Sequence, residues 1–217
     1  MNSTTLLQHF RLTLRDTEAP YLWADSEVLL YMDSAQKKWV REMGGIRDAV
    51  SPLTQIAVAA DDTFVPYDKK ILSITQAYRL SDKQEVSIVN AEDLSGNEAT
   101  LTEAPGKIET LVVGMDASNL RLIPQALEAE TLMLTVKRLP LLTIDDTGQE
   151  LEIDEQYHED LFLWMAHKAY LKQDAETFDK VKSDEFLARF MAAVRVAEGE
   201  FQKRHRRKRN VRWNGGI

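Results

Sequence analysis

Apolar residues recur at helical spacing early in the chain. Val28, Met32, Ala35, Trp39 and Met43 follow at intervals of four, three, four and four, one stripe of a helix from about Asp25 to Met43. Asp25 is placed to cap its start, and Glu27 suits the positive end of the helix dipole. Gly44-Gly45 supplies the stop, since glycine takes the left-handed conformation without steric cost. A shorter helix is expected over Thr5 to Leu14, with Leu6, Leu7, Phe10 and Leu14 as its apolar face and Pro20 closing the connection.

From about Leu53 to Pro140 the period changes to two. Ile71, Ser73, Thr75 and Ala77 alternate with Leu72, Ile74, Gln76 and Tyr78. Val86 to Val89 is short and β-branched, and Ile108 to Val113 is apolar and stops at Gly114. Leu120 to Pro124 and Thr131 to Val136 read as a strand pair around an Ala/Glu-rich turn. Turn signals at Ser95-Gly96-Asn97, Pro105-Gly106 and Asp116 to Asn119 punctuate the runs. The expectation is an antiparallel lobe of about five strands.

Helical spacing returns near Asp154. Tyr157, Leu161, Trp164, Lys168 and Leu171 share one face, with Met165 and Ala169 beside it. Asp174 is placed to cap a further helix carrying Phe186, Phe190, Val194, Ala197 and Phe201. The fold class is therefore α+β: N- and C-terminal helices packed as a helical bundle, with a small antiparallel β lobe, sandwich- or barrel-like, inserted between them. The expected division is 1–52 helical, 53–150 β lobe, 151–202 helical and 203–217 a basic C-terminal arm.

Charge adds what periodicity does not show. The net charge of the 217 residues is −8, but residues 201–217 hold seven basic residues and no acid. That leaves 20 basic against 35 acidic residues in 1–200, an acidic body with a basic tail. No apolar run approaches the roughly 20 residues of a membrane-spanning helix. The first residues do not read as a signal peptide, which points to synthesis in the cytoplasm.

Active-site chemistry is not visible. Absence of cysteine removes disulfides, thiolate metal sites and thiol nucleophiles. His9, His158, His167 and His205 form no pair at helical spacing; His158 and His167, nine apart, fall on opposite sides of a helix. No nucleophile elbow, phosphate loop or dinucleotide fingerprint occurs. Asp61-Asp62 and Asp145-Asp146 read as solvated turn acids rather than cation sites. Tyr157, Phe162 and Trp164 read as core rather than an aromatic box, as do the faces around Trp39 and Trp164. The chain reads as a non-enzyme without a cofactor or metal.

The basic tail, Lys203 to Ile217, has three readings. It is a nucleic-acid arm, a peptide arm for a protein partner, or a passive solubilising terminus. The acidic body argues against extended duplex binding. The apolar end, Trp213 and Ile217, favours a protein partner, because a purely electrostatic arm has no use for apolar anchors.

The stretch Leu22-Trp23-Ala24-Asp25, followed by a helix containing Asp33-Ser34-Ala35-Gln36, resembles the opening of tailed-phage head-to-tail adaptor (connector) proteins. Ala24 stands where that family often has Ser, leaving Asp25 as the candidate cap. Leu120 to Pro124 with Leu132 to Pro140 resembles the family's last β-hairpin. Ile153 to Leu161, with Lys168-Ala169-Tyr170 and Asp174, resembles its second helical segment, and the Arg-rich end closing in Gly215-Gly216-Ile217 resembles its C-terminus.

The resemblance implies a structural virion protein of a bacteriophage, made in the host cytoplasm. Subunits would form a twelve-fold ring between the portal protein and the tail, nozzle or tail-tube proteins. Genomic DNA would pass through the lumen without sequence-specific binding. Portal contact is assigned to Lys203, Arg204, Arg206, Arg207, Lys208, Arg209, Arg212, Trp213 and Ile217. The alternative is a DNA-binding accessory or regulatory protein that uses the same basic tail.

Overall fold

The computed structural model describes residues 1–94 and 104–205. Two compact units are present, Met1–Met43 with Leu142–Ile217, and Gly44–Leu141. The protein is α+β, and the second unit interrupts the first in sequence.

The helical unit holds α1 (Ser3–Leu14), α2 (Asp25–Glu42), α3 (His158–Tyr170) and α4 (Lys180–His205). All four contribute to one core. The α2 stripe is buried as its spacing requires, with Val28, Met32, Ala35 and Trp39 sealed from solvent. Phe10 and Trp23 meet edge to face at 5.6 Å, Trp39 and Phe190 at 5.8 Å, and Phe162 and Phe186 at 5.8 Å. Edge-to-face pairs add about 0.5–1.5 kcal/mol each beyond the area they bury. Trp164 is half-buried, donating from Nε1 to Ser34 Oγ at 3.0 Å, and packs on Phe190. Tyr157, Phe162 and Trp164 are thus parts of this core and its margin.

The helix ends differ from those expected. Asn2 caps α1, its side chain accepting from Thr5 N–H at 3.0 Å. Asp25 is the first residue of α2 and not its cap. Ala24 holds the cap position, and Glu27 reaches back to accept its N–H at 3.0 Å. Asp25 is instead engaged by Arg11. At the far end Gly44 has φ +75°, the left-handed stop. Residues Glu155–Tyr157 form a 3-10 turn before α3. The buried face of α3 runs through Leu161, Phe162, Met165, Ala166 and Ala169, which leaves Lys168 and Leu171 at its margin. Asp179 rather than Asp174 caps α4, accepting from Lys182 N–H at 3.0 Å; Asp174 closes the preceding turn.

Among the described residues the second unit contains eight strands rather than about five. One sheet is built around β8 (Glu130–Arg138), which pairs antiparallel with β1 (Ile46–Asp48), β2 (Gln55–Val58) and β4 (Ile71–Arg79). The other runs β3 (Phe64–Pro66), β7 (Asn119–Ile123), β6 (Thr110–Val113) and β5 (Ser87–Asn90). Its β5–β6 pair is parallel, so the sheet is mixed and not purely antiparallel. Both sheets feed one aliphatic core that includes Val65, Leu111, Leu120, Leu122, Leu132 and Leu134.

Two local expectations fail for identifiable reasons. The strands β7 and β8 are not a hairpin; they lie in different sheets. Their connection spends its backbone bonds elsewhere, with Ala126 N–H donating to Asp62 O, Asp61 N–H to Ala126 O and Leu127 N–H to Gly106 O. Buried Ala126 anchors that crossing. Along β4 the alternation breaks at register shifts between Ile71 and Ser73 and between Ile74 and Gln76. An extra residue in a strand reverses which face the following side chains take. The unit begins before 53, because Gly45 runs against β8. A Cβ on Gly45 would lie 2.8 Å from Lys137 Cβ, and φ is +95°. The segment from Leu142 to about Leu151 packs with the helices.

Candidate docking interface

The base of the basic arm is a convergence of three chain segments. α4 is held to the helical core by Phe190, Val194 and Ala197 and runs on through Lys203 and Arg204 to His205. Helix therefore carries into the first residues of the basic run. Arg204 donates to Gln156 Oε1 at 3.2 Å, and Tyr157 OH donates to Glu200 Oε2 at 3.3 Å. Nearby, the N-terminal ammonium of Met1 pairs with Glu155 at 3.0 Å.

This base is acidic, and its titration reflects that. Burial and then the neighbouring Glu159 and Glu200 push the Asp160 carboxyl above its ordinary value. The Tyr157 phenol is raised by burial and by Glu200. Glu155 moves the other way, held below its ordinary value by the ammonium it accepts from. A cationic arm thus leaves the body beside carboxylates.

Of the residues assigned to portal contact, Lys203 and Arg204 are exposed at the end of α4. Arg206, Arg207, Lys208, Arg209, Arg212, Trp213 and Ile217 lie outside the described residues.

The residues behind the adaptor resemblance form a second, structural constellation. Asp16 is buried, accepts from Leu22 N–H at 2.8 Å and is paired with Arg11, which also reaches Asp25 at 2.5 Å. This fixes the loop that presents Trp23, whose Nε1 donates to Ala169 O in α3 at 3.1 Å. Along α2, Asp33 Oδ1 accepts Ile144 N–H at 3.2 Å, and Gln36 Oε1 accepts Glu152 N–H at 2.8 Å. Leu-Trp and Asp-x-Ala-Gln are thus devices that seat two irregular segments on the helices. Sequence reasoning missed Asp16 and the job of Gln36. The available signal was Gln36 standing four residues after Met32, a polar side chain inside an apolar stripe, and it is fully buried.

Two sites with the look of chemistry are satisfied internally. A buried imidazole, His167, donates from Nδ1 to Ser183 O at 3.0 Å, while Ser183 Oγ donates to His167 O at 3.0 Å. A carbonyl only accepts, so Nδ1 carries the proton, and the pair ties the end of α3 to the start of α4. In the β unit a cavity of about 350 Å³ is lined by Arg79, Ser81, Asp82, Lys107 and Glu130. Arg79 first, then other donors, holds Asp82 well below the usual carboxylate range, and Ser81 donates to Glu130. His158 gives Nε2 to Ile153 O at 2.9 Å, so it does not share a site with His167. Among the described residues no group of three or more His, Asp or Glu is placed to hold a metal ion. No helix among them is long and apolar enough to cross a membrane.

The chain is α+β, with a β unit that interrupts a helical one in sequence and with Lys203 and Arg204 in the last turn of α4. The family model of the SU10 adaptor protein matches residues 1–214. The chain belongs to that family, a family of phage head-to-tail adaptors. Membership makes it a virion component with partners among portal and tail proteins. No curated protein matches the chain.

Proposed function

We propose that the protein is a structural subunit of a twelve-fold ring that joins the portal to the tail and continues the DNA channel. Its C-terminal arm docks on the portal, and it performs no enzymatic step. The observation that carries this reading is the run-on of α4 into the basic segment. Because Lys203 and Arg204 stand in the last turn of a helix anchored in the core by Phe190, Val194 and Ala197, a pull on the basic segment is passed to the folded body.

Charge and entropy fit the same reading. Seven cations in 201–217 provide charge-assisted bonds to carboxylates of a partner groove, and Trp213 and Ile217 provide apolar anchors. Docking one copy costs entropy, which a symmetric set of copies offsets through avidity. The excess of acid over base in residues 1–200 discourages DNA from adhering as it passes, where that acid lines the channel.

The test is co-assembly with the cognate portal, imaged and weighed, for the full chain and for one ending at Gln202. Ring density on the portal with the full chain alone supports arm docking. A ring from both chains keeps the adaptor role and removes the arm from it. A ring from neither, with duplex binding that falls steeply between about 50 and 200 mM salt, makes the protein a DNA-binding accessory instead.

A further inference from the structure

The outward face of α4 has its own pattern. Val181, Glu185, Ala188, Ala192, Arg195 and Gly199 fall within roughly 40° of one direction at 100° per residue. They lie opposite the buried Phe190, Val194 and Ala197. Val181 is 80% exposed, and Val196 at the edge of the same face is 64% exposed. These are high values for β-branched apolar side chains.

Two further features of this face lack an explanation within one chain. Lys180 pairs with Asp184 at 2.5 Å, Lys182 with Asp179 at 3.3 Å, and Glu198 takes Gln202 at 3.2 Å. Glu185 and Arg195 are exposed and hold no ion pair or hydrogen bond among the described residues. Gly199 stands inside a helix, where glycine costs about 1 kcal/mol relative to alanine. Yet a Cβ there would meet nothing within 4 Å.

All of these are accounted for if the face meets itself. In two antiparallel copies of α4 centred level with Phe190, Ala188 faces Ala192, Glu185 faces Arg195 and Val181 faces Gly199. Symmetry repeats each contact. The small residues at the centre let the axes approach to about 8 Å. The free charges become complementary, and the bare Gly199 makes room for Val181. We propose that the free chain pairs with a second copy through this face, as a two-fold antiparallel dimer across α4.

The contact is isologous, so it differs from the head-to-tail contacts of a closed ring. From Val181 to Gly199 it spans about 27 Å. A single helix pair lies at the low end of specific interface sizes, and the dimer exchanges reversibly. The proposal does not rest on portal docking, and loss of portal binding leaves it standing.

Sedimentation equilibrium of the full chain over a wide concentration series is the test. The expected result is a monomer–dimer equilibrium. Each of Glu185→Arg and Arg195→Glu acts twice per dimer and turns attraction into repulsion, so each raises the dimer Kd about tenfold. The double reversal restores it. Because the chain has no cysteine, Ala188→Cys with Ala192→Cys reads the register directly, as a disulfide-linked dimer. A chain that stays monomeric throughout, sediments as a ring, or dimerises with a Kd indifferent to the reversals overturns the proposal. Failure of the double reversal to recover does so too. All substituted sites are exposed, and circular dichroism verifies that each variant is folded.

Discussion

The two units solve the same problem with different materials. The helical core is aromatic, built on Phe10, Trp23, Trp39, Phe162 and Phe190, whereas the fully buried core of the β unit is Ile, Val, Leu and Ala. β-branched side chains suit the pleated faces of strands, whereas the rings of the helical unit gain from meeting edge to face, as Phe10 with Trp23 and Trp39 with Phe190 do. Yet each unit pins an irregular segment with a buried Arg–Asp pair. Arg11 and Asp16 order the loop before α2; Arg138 and Asp48 order the turn after β1, where Val50 and Ser51 N–H also donate to Asp48. Regular elements satisfy their own backbone, so it is at the joins that a charged side chain is worth burying.

The largest effects should separate the units. Trp23→Ala removes a sealed ring and its bond to Ala169 O, and should lower the stability of the helical unit by about 3–5 kcal/mol in urea titration. Asp48→Ala removes a buried carboxylate that pairs with Arg138 and accepts from Val50 and Ser51 N–H, and should cost the β unit about 3–5 kcal/mol. No tryptophan lies in 44–141, so indole fluorescence reports on the other unit alone. If the units unfold independently, Asp48→Ala shifts the sheet's amide exchange and leaves the fluorescence transition in place. A joint shift would show a single cooperative block and end the contrast.

Acid should expose the same pair. Burial raises the Asp48 carboxyl, but donation from the turn and from Arg138 outweighs it and holds the group well below its ordinary value. The stability it contributes is present above about pH 4 and is lost as pH falls further. Asp48→Ala should lack that acid-dependent loss.

Gln36→Ala should have an intermediate effect, about 1–3 kcal/mol, because Glu152 N–H loses its acceptor beside a sealed site. Faster exchange of the Glu152 amide, with the amides of β8 unchanged, is the expected pattern. The smallest effect has the opposite sign. Asp160 is raised by burial and by Glu159 and Glu200, so its ionised form is disfavoured in the fold. Asp160→Asn should stabilise at neutral pH by less than about 1 kcal/mol. Below the ordinary carboxylate range, where Asp160 is already protonated, thermal melts of the two proteins should coincide.

Sequence legibility follows the same division. The stripe Val28, Met32, Ala35, Trp39 announced α2 and its buried face, and Gly44 announced its end, because helical order repeats within a few residues. The caps were less readable. Asp25 and Asp174 had the right chemistry at the wrong places, and the choice of Ala24 and Asp179 depended on Glu27 reaching back and on a turn closing first. In the β unit the strands were partly visible as alternation, but their partners were not. Leu120–Ile123 and Thr131–Val136 look like neighbours in sequence and belong to different sheets.

The sequence by itself determined the α+β class, the interruption of helices by strands, the basic segment at 201–217 and the family resemblance. Each rests on local periodicity, composition or short motifs. Tertiary structure alone decided that Asp16, Asp33 and Gln36 hold distant backbone, that β5 runs parallel to β6, and that α4 turns Glu185, Arg195 and Gly199 outward together. Those outcomes depend on which surfaces are buried against which, and burial depends on parts of the chain far apart in sequence.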